Sequence, residues 1–213
     1  MSCAAVDDVT LAPRCKSNEV DILMAKSDIE ILDEIRRGGK HHFAQLVDRY
    51  KDRALTLSLR ILKNREDAEE AVQDAFVKTY NALERFEGKS KFSTWFYRIV
   101  YNTCLSKLDS RNHEFQSIEY DDEYDEAVSV EENSSIIELD QKEMIALVKT
   151  IVETLPAKYG SILSLFYFQE LSHAEICEVT QLPLGTVKAH LFRARAMLQD
   201  RVRKELRMEK VVI

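Results

Sequence analysis

Residues 182–198 read LPLGTVKAHLFRARAML, and place Lys188, His190, Arg193 and Arg195 within eight positions. At helical spacing Val187, Leu191, Ala194 and Leu198 form one narrow apolar stripe that must face a core. Lys188, Ala189, Phe192 and Arg193 then point away from it, with His190 and Arg195 at its borders. From Lys188 to Lys210 there are eight Lys or Arg against three acids. A helix that only needs to be soluble mixes both signs, and an outward Phe adds nothing to solubility. Cations beside phosphates release counterions, and side chains near the start of such a helix reach base edges in a major groove. This chemistry is that of duplex DNA binding.

A second constellation, RFEGKSKFSTWFYRIVY at residues 85–101, interleaves Arg85, Lys89, Lys91 and Arg98 with Phe86, Phe92, Trp95, Phe96, Tyr97 and Tyr101. Six of the chain's eighteen aromatics fall here, which marks the segment out from ordinary core composition. Phe92, Phe96 and Ile99 share one helical face and belong to a core. Trp95, Arg98 and Asn102 lie on another, beside a Gly-Lys-Ser-Lys loop. Rings that stack on unpaired bases, next to cations that hold a backbone, suit single-stranded nucleic acid. Gly88-Lys89-Ser90 is not a nucleotide-binding P-loop, because the glycine that motif requires further upstream is missing.

A third group, Glu69, Glu70, Gln73, Asp74, Val77, Tyr80 and Asn81, lies opposite the apolar stripe of its own helix. Val77 and Tyr80 ringed by acids and amides suit the docking of a basic amphipathic element from another protein.

The elements that must position these groups are helical. Five Gly and three Pro among 213 residues leave too few turns for a sandwich of strands. A capping box, Ser27 to Glu30, opens a short helix that stops at Arg36-Arg37-Gly38-Gly39. Long amphipathic helices follow from Phe43, from about Asn64 and from Phe92 to about Leu108, which together make a bundle. Further on, Met144, Leu147, Val148, Ile151, Val152 and Leu155 form a stripe that ends where Pro156 begins another helix. A second capping box, Ser172 to Glu175, opens a short helix ending near Thr180. A tight turn containing Pro183 and Gly185 and then the basic helix complete a helix-turn-helix pattern.

The net charge of -7 is unevenly spread. Eleven acids and no Lys or Arg lie between Arg111 and Lys142, so one acidic stretch outweighs the excess of the whole chain. The chain divides into a tail (1–27) read as disordered, a helical bundle (28–112), an acidic flexible linker (113–141) and a helix-turn-helix domain (142–213). As a coil of about 30 residues the linker spans roughly 30 Å, and fully stretched roughly 100 Å. Apolar runs are too short to cross a bilayer, and the N-terminus lacks the apolar core of a secretory signal. Cys3, Cys15, Cys104 and Cys177 are too scattered for a zinc site, and a cytoplasmic protein with reduced thiols is expected. His41, His42, His113, His173 and His190 fit no nucleophile or metal pattern, so neither an enzyme nor a cofactor is expected.

DAEEAVQDAFVKTY (67–80), FEGKSKFSTWFYRIVYN (86–102) and, after the linker, LPAKYGSILSLFYFQELSHAEICEVTQLPLGTVKAHLFRARAML (155–198) together resemble a bacterial RNA polymerase sigma factor. The nearest likeness is to the extracytoplasmic-function (ECF) group of the sigma-70 family. The resemblance implies an all-α protein whose first domain binds core RNA polymerase and recognises and melts the minus-ten element. The second would read the minus-thirty-five duplex. It implies polymerase contacts at Glu70, Gln73, Asp74 and Val77. It implies minus-ten contacts at Phe86, Gly88, Lys89, Ser90, Lys91, Trp95, Arg98 and Asn102, with the loop from Phe86 to Lys91 capturing a flipped base. Thr186, Lys188, Ala189, His190, Phe192 and Arg193 match the family's duplex-reading positions. An anti-sigma partner is implied as well, and a monomer when free.

Two rival readings fit parts of the sequence. GTVKAHL also resembles the helix-turn-helix of LuxR-type regulators, which leaves 67–102 unexplained. An adaptor that binds polymerase without initiating would keep the α-helical faces and lose the melting.

Overall fold

The computed structural model describes residues 26–114 and 141–209, and every regular element among them is helical. The first group is α1 (Asp28–Arg36), α2 (Phe43–Leu62), α3 (Arg65–Ala82) and α4 (Phe92–Glu114). Ser27 and Glu30 form the expected reciprocal cap, whose hydrogen bonds hold the Glu30 carboxyl below its ordinary pKa. Gly38, at φ +102°, turns the chain out of α1. Lys63 ends α2 in the left-handed region, and Asn64 then caps α3 by accepting from the Asp67 amide at 3.0 Å.

Leu46, Tyr50, Ala54, Leu57 and Ile61 of α2 meet Ala68, Ala71, Val72 and Ala75 of α3 and Phe92, Phe96 and Val100 of α4. The alanines let α3 lie close, and the rings of Tyr50, Phe76 and Phe96 fill the remaining space at centroid separations of 4.9–5.3 Å. Cys104 is fully buried and donates to Ser58 Oγ at 3.3 Å, while burial pushes its thiol pKa up to about 11. It is a packing residue and no nucleophile at neutral pH.

The second group is α5 (Gln141–Thr154), α6 (Ala157–Leu163), α7 (His173–Thr180) and α8 (Leu184–Glu209). Ser172 and Glu175 cap α7 reciprocally, as expected. Two features differ from the sequence reading. The apolar run after α6 is a π-helical turn, Ser164–Phe168, followed by Glu170 at φ +55°. The turn before α8 is made at Gln181, at φ +59°, whose amide donates to the Cys177 carbonyl at 2.8 Å and closes α7 without a glycine. Gly185 lies inside the first turn of α8, where an added Cβ would meet nothing within 4 Å.

The two helical sub-domains pack on one another, α6 and the π-turn against α2, and α7 against α4. Ile162, Leu165, Leu171 and Ile176 join the apolar cluster built by α1 to α4. The stretches read as a disordered tail and an acidic linker fall, apart from their end residues, outside the described residues.

Candidate nucleic-acid interface

The basic helix turns the expected face to solvent. Val187, Leu191 and Ala194 are buried, Leu198 is half-buried, and Lys188, Ala189, Phe192 and Arg193 are exposed. Phe192 is 67% exposed, a large ring held in water between two cations. Thr186 is half-buried. His190 is half-buried too, with its ring against Tyr159 at 5.5 Å and its Nδ1 buried without a partner. Burial first, and then Lys158 and Arg193, lower its pKa, so the ring is neutral at neutral pH. Arg195 is drawn to one side, where its guanidinium lies over the rings of Phe166 and Tyr167 at 5.4 and 5.5 Å. Nothing in residue spacing signalled that the π-turn would supply a platform for this arginine.

The loop after α3 carries the second constellation. Phe86 is buried, 4.9 Å from Trp95 and 5.9 Å from Phe92, so it forms the floor beneath the loop rather than a projecting contact. Gly88 holds φ +72°, and after it Lys89 and Lys91 are exposed while Ser90 is half-buried. Trp95 is half-buried. Arg98 and Asn102 lie exposed beside it on α4, as the helical spacing implied. Lys89 pairs with Glu87.

On α3, Glu70, Gln73, Asp74 and Val77 are all exposed, and Val77 at 60% is among the largest apolar exposures of the protein. Tyr80 is held by Phe43 at 5.1 Å. Lys107 of α4 reaches Glu70 at 2.5 Å, an ion pair at the edge of this face. The three groups lie on different elements: α8, the 86–91 loop with α4, and α3.

Sequence spacing did not reveal the ties between sub-domains. Lys91 is 3.0 Å from Glu175, whose Oε1 also accepts from the Thr94 hydroxyl at 3.4 Å. Lys63 Nζ donates to the carbonyls of Glu153 and Leu155 at 2.6 and 2.8 Å, a cation at the C-terminal end of α5. Gln169 donates to the Arg53 carbonyl at 3.1 Å. The same Glu175 carboxylate thus caps α7 and pins the loop that bears Lys91.

Among the described residues, no group of His, Cys, Asp and Glu could hold a metal ion, and no helix is long and apolar enough to cross a membrane. A helical bundle joined to a helix-turn-helix, each with a cationic aromatic surface, defines a DNA-binding transcription factor of two sub-domains.

Comparison with known proteins gives the class its family. Residues 46–114 match the model of Sigma-70 region 2, and residues 145–198 that of Sigma-70 region 4. The chain is 31% identical to the RNA polymerase sigma-H factor of Pseudomonas aeruginosa, over 87% of this chain and 99% of that protein. It is also 31% identical to the ECF RNA polymerase sigma factor SigW of Bacillus subtilis, over 81% of this chain and 95% of that one. The fold is shared with CnrH, solved in complex with the cytosolic domain of CnrY, at a TM-score of 0.58 and 20% identity. That match covers 84% of this chain and 99% of CnrH. It is shared too with the Bartonella quintana sigma factor RpoE, solved with the anti-sigma factor NepR, at 0.57 and 22%. Here 76% of this chain and 96% of that one are covered. The chain belongs to the sigma-70 family as an ECF-type RNA polymerase sigma factor: it binds core RNA polymerase, directs it to promoters, and is not an enzyme. The LuxR-type reading fails because residues 46–114 are region 2.

Proposed function

We propose that the three surfaces divide the work of initiation as follows. Glu70, Gln73, Asp74 and Val77 of α3 dock on core polymerase. The loop from Phe86 to Lys91, with Trp95, Arg98 and Asn102, holds the opened minus-ten strand, Gly88 and Ser90 allowing a base close to the backbone. Thr186, Lys188, Ala189, His190, Phe192 and Arg193 read the minus-thirty-five duplex. Residues 28–112 and 142–213 act as the two working domains, the acidic stretch 113–141 as the tether between them, and residues 1–27 as a tail.

The observation that carries this reading is the exposure of Phe192 between Lys188 and Arg193 on one helix, paired with a separate aromatic and cationic surface on α4. A duplex reader alone needs only the first. The experiment is reconstitution with core polymerase on a library of promoter sequences, with transcript starts mapped. New starts that share two elements spaced about 25 base pairs apart are expected. Polymerase binding with no new start anywhere would leave the adaptor reading instead.

Arg193→Ala should weaken promoter binding by roughly five- to tenfold at moderate salt and lower the salt slope by about one. Filter binding of the holoenzyme at several salt concentrations reads both quantities. An unchanged slope together with unchanged output removes Arg193 from the contact set. An anti-sigma factor as a further partner is supported by the fold shared with the NepR-bound factor. Co-purification from the source cell tests it.

A further inference from the structure

Within the α3 docking set, Glu70 is the acid that another helix holds. Lys107 of α4 grips its Oε2 at 2.5 Å and lies 4.0 Å from the carboxylate of Asp67, one turn earlier on α3. The Lys107 side chain is only 19% exposed, whereas that of Glu70 is 66% exposed. The cation is therefore covered in the seam between the two helices, while the carboxylate it holds stands in solvent. Glu69 pairs along its own helix, with Arg65 at 2.8 Å. The side chains of Gln73 and Asp74 make no hydrogen bond or ion pair among the described residues.

The α3 face is acidic and suits a basic partner, so a lysine at its edge opposes that attraction. An ordinary surface pair would offset little, because two long side chains have to be held still for it. Lys107 differs in being ordered already by its burial and in being shared by two carboxylates one helical turn apart. What it imposes on Glu70 is a fixed direction. A glutamate free in solvent loses rotamer freedom when it binds, and ordering one such side chain weakens association by roughly two- to tenfold. A glutamate held beforehand avoids most of that loss.

We propose that Lys107 is a positioning residue for polymerase docking: it holds the Glu70 carboxylate ready for a cationic side chain of the core enzyme. Helix α4 thereby sets the aim of the α3 face. This rests on the reading of Glu70 as a polymerase contact. The opposing effect is electrostatic, since removing a cation from an acidic face raises its attraction for a basic partner. Between exposed charges in salt that gain is small. The two effects have opposite signs, so the direction of change decides between them.

The test is equilibrium titration of core polymerase with the full chain at moderate salt, with thermal unfolding of each variant measured alongside. Lys107→Met keeps the aliphatic stem in the seam and removes the charge. It should bind core about fivefold more weakly, with an unfolding midpoint close to that of the parent. Lys107→Arg, which can reach both acids, should stay within about twofold of the parent. Glu70→Ala should weaken binding at least as much as Lys107→Met does. Adding Lys107→Met to it should bring no further loss, because the lysine acts through that carboxylate. A lysine that only braces the helices would give losses that multiply. Parental or tighter binding by Lys107→Met, or a double variant whose loss is the product of the two single losses, overturns the assignment of Lys107. If Glu70→Ala weakens binding and Lys107→Met does not, Glu70 stands as a contact and Lys107 falls. If Glu70→Ala binds as the parent does, the docking role of Glu70 fails and the positioning role with it.

Discussion

Trp95→Ala is expected to abolish promoter opening while leaving association with core polymerase intact. The indole is half-buried, its inner part against Phe86 at 4.9 Å and Phe92 at 5.9 Å, and its outer edge shares a surface with Arg98 and Asn102. A base stacked on such a ring contributes roughly 1 to 3 kcal/mol, so its removal lowers occupancy of the opened state by about five- to 150-fold. That factor acts on an already unfavourable melting step, which is why complete loss of the bubble is expected. Truncation also leaves a space beside Phe86, and roughly 3 to 5 kcal/mol is the cost of removing a fully buried Trp, an upper bound here. Trp95→Phe keeps a ring on Phe86 and should retain part of the activity, which separates stacking from collapse of the loop. Permanganate footprinting reports the bubble, and native gels with core polymerase report docking. The α3 face bearing Glu70, Gln73, Asp74 and Val77 does not include Trp95, so docking should match the parent protein. A bubble that persists in Trp95→Ala would remove the ring from the melting surface.

The contrast between Trp95 and Phe86 shows what sequence could and could not specify. Both sit in one aromatic and basic stretch, and helical spacing correctly put Trp95 beside Arg98 and Asn102 because α4 is regular there. Phe86 lies in a loop, where no period exists, and only the packed rings of Phe92 and Trp95 decide that it is buried. The same division holds elsewhere. Capping boxes at Ser27 and Ser172 are local chemistry, complete within four residues, and could be read directly. Gly185 was a poor guide to the turn, because Gln181 adopts the left-handed conformation and its side chain reaches back to the Glu178 carbonyl at 2.6 Å. Arg195 was placed at the edge of the reading face by its angle on the helix. Its position over Phe166 and Tyr167 depends on a π-turn, an irregularity that apolar spacing does not encode.

The charge pattern carried a similar lesson. Two near-neutral segments flanking an acidic stretch explain how a chain of net charge -7 presents cationic surfaces to DNA. The acids of the described structure are put to other uses. Glu175 caps α7 and holds Lys91, and its carboxyl stays below its ordinary pKa because the Ser172 and Lys91 bonds outweigh the burial that opposes them. Charge sums along the sequence show which segments face a polyanion, but not which cations are already paired in the closed molecule.

A covalent bridge between the sub-domains should silence the factor completely. With Lys91 only 3.0 Å from Glu175, the loop from Phe86 to Lys91 and the helix-turn-helix are neighbours in the structure. Promoter elements about 25 base pairs apart lie roughly 85 Å from one another along the duplex, so one molecule in this arrangement cannot engage both. Separation must break the Lys91–Glu175 and Lys63–α5 contacts and expose the apolar surface around Ile162, Leu165, Leu171 and Ile176. Polymerase has to supply that energy through its own contacts with the two sub-domains, and the acidic stretch, at roughly 100 Å when extended, is long enough to permit the span. Lys91→Cys and Glu175→Cys, in a background with the native cysteines replaced by serine or alanine, place two thiols across the interface, the first on an exposed side chain, for a short bismaleimide. The bridged protein is expected to give no promoter-directed transcript, while the unbridged double variant still initiates. Loss of Glu175 alone should make the closed form easier to open, which appears as tighter binding of free protein to minus-thirty-five duplex. Full transcription from a quantitatively bridged sample would mean that the sub-domains work on the promoter without parting.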